Sequence, residues 1–153
     1  MSKILFLHGL QSQPGGKKPR HLKQHGFEVF NPHLPKSSWE ESIKNAQEII
    51  DIDNPHIVIG SSRGGAIAML LDLKGAKLIL IAPAWKRFGA PATIPGNSII
   101  LHSPTDNVIP YGDSEDLQTQ CGVTLVSCGT GHRMNDNDAL AALLDAAKWC
   151  TRP

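Results

Sequence analysis

The sequence predicts a three-layer α/β/α sandwich on a minimal, mostly parallel sheet. Two observations carry this. Six short runs rich in Ile, Leu and Val recur at residues 3–7, 27–30, 56–59, 77–81, 98–101 and 123–126, most without polar–apolar alternation. Such runs suit strands covered on both faces. Helical segments fall between them, and strand–helix alternation implies right-handed crossovers.

Each element has its own local warrant. After the first run, residues 17–25 carry a weak helix signal. Trp39, Ile43, Ala46 and Ile50 fall on one helical face, and Ser38 with Glu41 forms a capping box ahead of them. Residues 66–73 read as a buried helix after the third run. Residues 84–97, "AWKRFGAPATIPGN", hold two prolines and two glycines and read as an irregular loop with at most one helical turn. Pro110 is placed to open a helix running to Cys121, with Gly122 just past its end. Leu140, Leu143, Leu144 and Ala147 mark the last helix, with Asn135 or Asp136 as its cap. No repeat or linker divides the sequence, so residues 1–153 read as a single domain.

Composition narrows the function. Charged residues are 19%, apolar residues 41%, and the formal net charge is +1. That balance gives no reason to expect nucleic acid or an anionic membrane as partner. Cys121, Cys128 and Cys150 form no CxxC pair and no metal-ligand spacing, so reduced thiols in a cytoplasmic protein are expected. The N-terminal apolar run, residues 4–7, is too short for a secretory signal or a membrane span.

The third run leads into "GSSRGG", in which Gly60-Ser61-Ser62-Arg63-Gly64 matches Gly-x-Ser-x-Gly. A serine on a tight strand-to-helix turn is held in a strained conformation, and its flanking residues must be small. The turn presents the Ser62 hydroxyl at the carboxyl edge of the sheet, above the N–H groups that open the following helix. Ser61 lacks the flanking pattern and is expected to pack within the turn.

Two further stretches complete a constellation. "HSPTDNVIP" puts Asp106 just beyond the fifth run, and "SCGTGHRMND" puts His132 in a glycine-containing loop after the sixth. In a parallel sheet these carboxyl edges are neighbours. A serine hydroxyl needs a base within hydrogen-bond reach, and the base needs a carboxylate to fix its tautomer. Asp136 is the rival acid, although it is expected to cap the last helix. His8 and His102 also end strands; His8 is expected to orient the loop after the first strand. His21, His25, His33 and His56 read as surface or turn residues, and no histidine pair has metal-site spacing.

With these residues in place, the chain resembles the α/β-hydrolases, specifically the small, lidless bacterial serine esterases. The resemblance runs from "ILFLHGLQS" to the helix after His132 and includes the His8-Gly9 pair. It implies a Ser62–His132–Asp106 triad and an oxyanion hole formed by the N–H groups of Leu10 and Arg63. It also implies hydrolysis of a small-molecule ester or thioester without cofactor or metal. The family's usual N-terminal antiparallel strands are missing here, so a six-stranded sheet of order 2-1-3-4-5-6 is expected. The lid insertion is reduced to residues 84–97, which favours short acyl chains.

Trp85 and Phe88 in that loop are candidates to roof the site. Lys17, Lys18, Arg20, Arg63, Lys86, Arg87 and Arg133 cluster in loops expected near its mouth. Arg63 stands out, because a cation in the first turn opposes the helix dipole. It is a candidate to meet an anionic group of the substrate. A thioesterase, peptidase or acyltransferase on the same three residues, or a non-catalytic binding protein of this fold, are the alternative readings.

Overall fold

A computed structural model describes residues 2–10 and 12–152. Six parallel strands form the sheet: β1 (Lys3–Leu7), β2 (Glu28–Phe30), β3 (Ile57–Ser61), β4 (Lys77–Ile81), β5 (Ile99–His102) and β6 (Thr124–Ser127). Their order is β2-β1-β3-β4-β5-β6, as expected, so the chain reverses its direction of winding after β2. The helices are α1 (Lys17–Gln24), α2 (Trp39–Asp53), α3 (Arg63–Ala68), α4 (Tyr111–Cys121) and α5 (Asn137–Cys150).

Successive strand residues feed two separate cores. Leu5, Leu7, Val58, Leu78, Leu80 and Ile100 face one layer, where they meet Ala46 and Ile50 of α2, Ala66 and Ile67 of α3, and Leu117 of α4. Ile4, Phe6, Ile57, Ile59, Ile79, Ile81 and Leu101 face the other layer, with Leu22 of α1 and Leu143 and Ala147 of α5. This double covering is why the strands read as unbroken apolar runs.

Helix ends follow the sequence signals. The Ser38 hydroxyl accepts from the Glu41 N–H at 3.1 Å, opening α2. Asp136 opens α5 by accepting from the Ala139 N–H at 3.2 Å, which settles the choice between Asn135 and Asp136. Gly122 closes α4 in the left-handed conformation at φ 70°.

One helix departs from expectation. The segment anticipated over residues 66–73 begins at Arg63 and ends at Ala68. It starts early because the Ser62 carbonyl already accepts from the Gly65 and Ala66 N–H groups. It ends early because the chain is drawn towards α2, where the Gln47 side chain pairs with both the N–H and the carbonyl of Asp72. Residues 84–97 form no helix or strand, as their prolines and glycines predict.

Candidate active site

Strand β3 delivers Ser62 to the carboxyl edge on a turn with almost no room. Ser62 has φ 54° and ψ −113°, a strained conformation for a residue with a side chain. A Cβ on Gly60 would run into the Gly64 carbonyl, and one on Gly64 would run into the Leu7 carbonyl. Both glycines are therefore steric requirements of the turn, which packs directly against the end of β1. The turn is tied across the sheet by the Ser62 N–H donating to the Ile81 carbonyl at 2.9 Å.

The structure brings Ser62, His132 and Asp106 together. His132 Nε2 lies 3.0 Å from Ser62 Oγ, and His132 Nδ1 lies 2.8 Å from Asp106 Oδ2. The Asp106 carboxylate is fully buried. Its other oxygen, Oδ1, accepts from the Val108 and Ile109 N–H groups at 2.8 and 2.9 Å. Burial pushes the Asp106 carboxyl up, but the bonds from His132, Ile109 and Val108 outweigh it and hold the group below its ordinary value. The carboxylate form is thus favoured, with the geometry that keeps the His132 proton on Nδ1.

Asp136 takes no part in this chain. Its carboxylate caps α5 and accepts from the Thr130 N–H at 3.2 Å, while Asp138 accepts from the Gly129 N–H at 2.8 Å. Two acids at the start of α5 therefore pin the loop that carries His132.

Sequence reasoning missed the part played by His102. Its imidazole is fully buried, and Nε2 lies 3.0 Å from Asp106 Oδ2 and 3.1 Å from the Ile109 carbonyl. Nδ1 lies 2.6 Å from Ser114 Oγ on α4. Burial lowers the His102 pKa despite Asp106 beside it, which favours the neutral ring. The network then assigns the proton to Nε2, with Nδ1 accepting from the Ser114 hydroxyl. Ser114, His102, Asp106, His132 and Ser62 form one continuous hydrogen-bonded row. The only signal in the sequence was the four-residue spacing of His102 and Asp106 across a strand end.

His8 has the orienting position expected of it. Its Nδ1–H donates to the Gly9 carbonyl at 2.9 Å, and its Nε2 accepts from the Leu34 N–H at 3.1 Å. Burial lowers its pKa, in keeping with a neutral ring. Gly9 sits against Ser62, since a Cβ there would fall 3.3 Å from the Ser62 Cβ. Among the described residues, the N–H groups of Leu10 and Arg63 make no hydrogen bond within the protein.

A cavity of about 280 Å³ opens over Ser62 and His132, with Leu10, Arg63 and Phe88 on its walls. Trp85 does not line it, contrary to expectation. That ring packs in the core over α3 and α4, and its Nε1–H donates to the Asp113 carbonyl at 3.0 Å. The expectation for Arg63 also needs correction. Its side chain is only 3% exposed, and Nη2 donates to the Pro35 carbonyl and to Ser42 Oγ at 3.0 and 3.2 Å. The guanidinium lies 5.3 Å from the Trp39 ring centre, and Trp39 in turn stacks on Phe88 at 5.2 Å. Arg63 is thus engaged in joining α3 to the start of α2. Among the described residues, no cluster of three His, Cys, Asp or Glu side chains could hold a metal ion, and no helix is long and apolar enough to cross a membrane.

Comparison with solved structures agrees with this architecture. An esterase from Exiguobacterium antarcticum superposes with a TM-score of 0.78 at 14% identity, covering 99% of this chain and 92% of that one. Mouse alpha/beta hydrolase domain-containing protein 10 gives 0.76 at 16% identity, covering 95% and 88%. The esterase domain of a Rhodothermus marinus protein gives 0.73 at 16% identity, covering 97% and 85%. No protein-family model matches the sequence, and no curated protein does. The chain has the α/β-hydrolase fold, in a small form with a six-stranded parallel sheet.

Proposed function

We propose that this protein is a serine hydrolase that cleaves carboxylic esters of short acyl chains. The observation that carries the reading is the alignment of Ser62 Oγ, the two nitrogens of His132 and Asp106 Oδ2 at 3.0 and 2.8 Å. That is the arrangement an alcohol oxygen needs to become a nucleophile at neutral pH. The structural neighbours that are esterases support it further.

In this mechanism His132 Nε2 takes the Ser62 proton as Oγ attacks the carbonyl carbon. Asp106 holds the resulting imidazolium. The N–H groups of Leu10 and Arg63 receive the oxyanion, each worth about 3–4 kcal/mol in the transition state. His132 then hands the proton to the departing alcohol, and water releases the acyl group from Ser62 by the same steps. The machinery calls on no metal or cofactor. The cavity of about 280 Å³ is slightly smaller than the usual small-molecule site, about 300–1,000 Å³. Residues 84–97 add no helix to roof it, so a long chain would lie in water. Three free thiols fit a cytoplasmic setting.

The test is covalent labelling by a fluorophosphonate probe, mapped to its residue, with rates on chromogenic esters of rising chain length. Labelling at Ser62 and rates that fall beyond an eight-carbon acyl group are expected. Folded protein that neither labels nor hydrolyses any ester would overturn the reading.

A further inference from the structure

The cavity over Ser62 is bordered by four cations, Lys18, Arg63, Arg87 and Arg133, and, among the described residues, by no acidic side chain. Two lysines elsewhere on the molecule pair with carboxylates, Lys74 with Asp51 and Lys86 with Asp113 and Asp116. Among the described residues, none of the four cavity cations does so.

Lys18 is the telling member. It is 8% exposed, buried on α1 beside Pro19 and Leu22. Its Nζ donates to the Arg133 carbonyl at 2.7 Å and to Asn135 Oδ1 at 3.0 Å, both on the loop that carries His132. An ammonium has three N–H donors, so one remains. Neither acceptor is charged, and burying an unpaired charge is costly. Burial and the neighbouring Arg133 push the Lys18 pKa down to about 8. The same side chain also borders a recess of about 70 Å³ that shares Gly9, Ser12, Ser61 and Asn135 with the main cavity. A fold that holds a buried ammonium on the wall of the cavity over Ser62, with no carboxylate paired to it among the described residues, leaves that charge for a ligand to neutralise.

We infer that the cavity selects esters bearing a carboxylate, and that the Lys18 ammonium receives it. The single positive charge of the ammonium balances one carboxylate, and its remaining N–H can donate to it. Arg63, Arg87 and Arg133 add positive potential that draws such a substrate in. This rests on the hydrolase reading for the chemistry, but the recognition can be measured without turnover.

The experiment uses the Ser62→Ala protein, which binds but cannot acylate, and NMR titration. Monomethyl glutarate places the charge on the acyl side and acetoxyacetate places it on the alcohol side. Dimethyl glutarate and methyl acetoxyacetate are their neutral counterparts. At least one charged ester is expected to bind about tenfold more tightly than its counterpart. The advantage should vanish in S62A/K18M and persist in S62A/K18R. Equal affinities in S62A alone would overturn the inference, whether or not the double variant folds. A preference that survives K18M would overturn the role of Lys18. Failure of the hydrolase reading looks different: the charged ester binds while wild-type Ser62 takes no fluorophosphonate.

Discussion

His102 Nε2 lies 3.0 Å from Asp106 Oδ2, the same oxygen that His132 Nδ1 reaches at 2.8 Å. Two imidazoles thus share one carboxylate oxygen, one of them fully buried. His102 is therefore a positioning residue, acting on His132 through Asp106. His102→Phe should lower kcat about tenfold with KM little changed, because one charged hydrogen bond is lost and the carboxylate is freer to turn. His102→Gln, whose side-chain amide can still donate to Asp106, should recover part of the loss. Equal losses in kcat for His102→Phe and His102→Gln would refute the coupling.

The strain at Ser62 makes a prediction about stability rather than rate. At φ 54° and ψ −113° any side chain is costly, by about 1–3 kcal/mol. Ser62→Ala should abolish about three orders of magnitude of activity or more, yet leave that strain in place. Ser62→Gly should be equally inactive and should outlast Ser62→Ala in urea by about 1 kcal/mol. Equal midpoints for the two variants would mean that the turn is relaxed.

What the sequence made legible and what it hid have physical reasons. The strands were visible because both faces are buried, so runs such as KLILI needed no alternation. Ser62 was visible because the turn tolerates only glycine at residues 60 and 64. Lys18 was placed near the mouth with six other cations, but its burial was hidden because its acceptors, Arg133 and Asn135, lie more than a hundred residues away. Trp85 and Phe88 occupy one loop, and nothing local says which ring faces the core and which the cavity. Arg63 was singled out for opposing the helix dipole, but its partners, Pro35 and Ser42, come from another segment. Local sterics write themselves into short patterns; contacts between distant loops do not.

Asp106→Asn separates the electrostatic from the structural role of the acid. An amide in place of the carboxylate favours the wrong His132 tautomer, and kcat should fall by about 10³–10⁴-fold. The native pKa of Asp106 is lowered, so its carboxylate stabilises the fold above its unfolded value, about 3.9. That contribution is lost as pH falls through the native value. Urea unfolding should thus show wild type ahead of Asp106→Asn near pH 6, with the gap shrinking as pH drops below about 4. A gap independent of pH would remove the electrostatic account.

The packing of the turn gives the sharpest structural prediction. A Cβ at Gly64 would overlap the Leu7 carbonyl, which is backbone in a buried strand and cannot move aside. Gly64→Ala should therefore cost about 3 kcal/mol or more, or prevent soluble expression. Gly112, in the first turn of α4, is the control: its nearest neighbour to an added Cβ is Glu115 Oε1 at 4.0 Å. There alanine should stabilise the protein by about 0.5–1 kcal/mol, through helix propensity and a less disordered unfolded chain. Activity should follow the same division, retained in Gly112→Ala and lost in Gly64→Ala even where some protein folds. That is because a displaced turn pulls Ser62 Oγ away from His132 Nε2. A stable Gly64→Ala protein with undiminished ester hydrolysis would show that the turn does not press on the Leu7 carbonyl of β1.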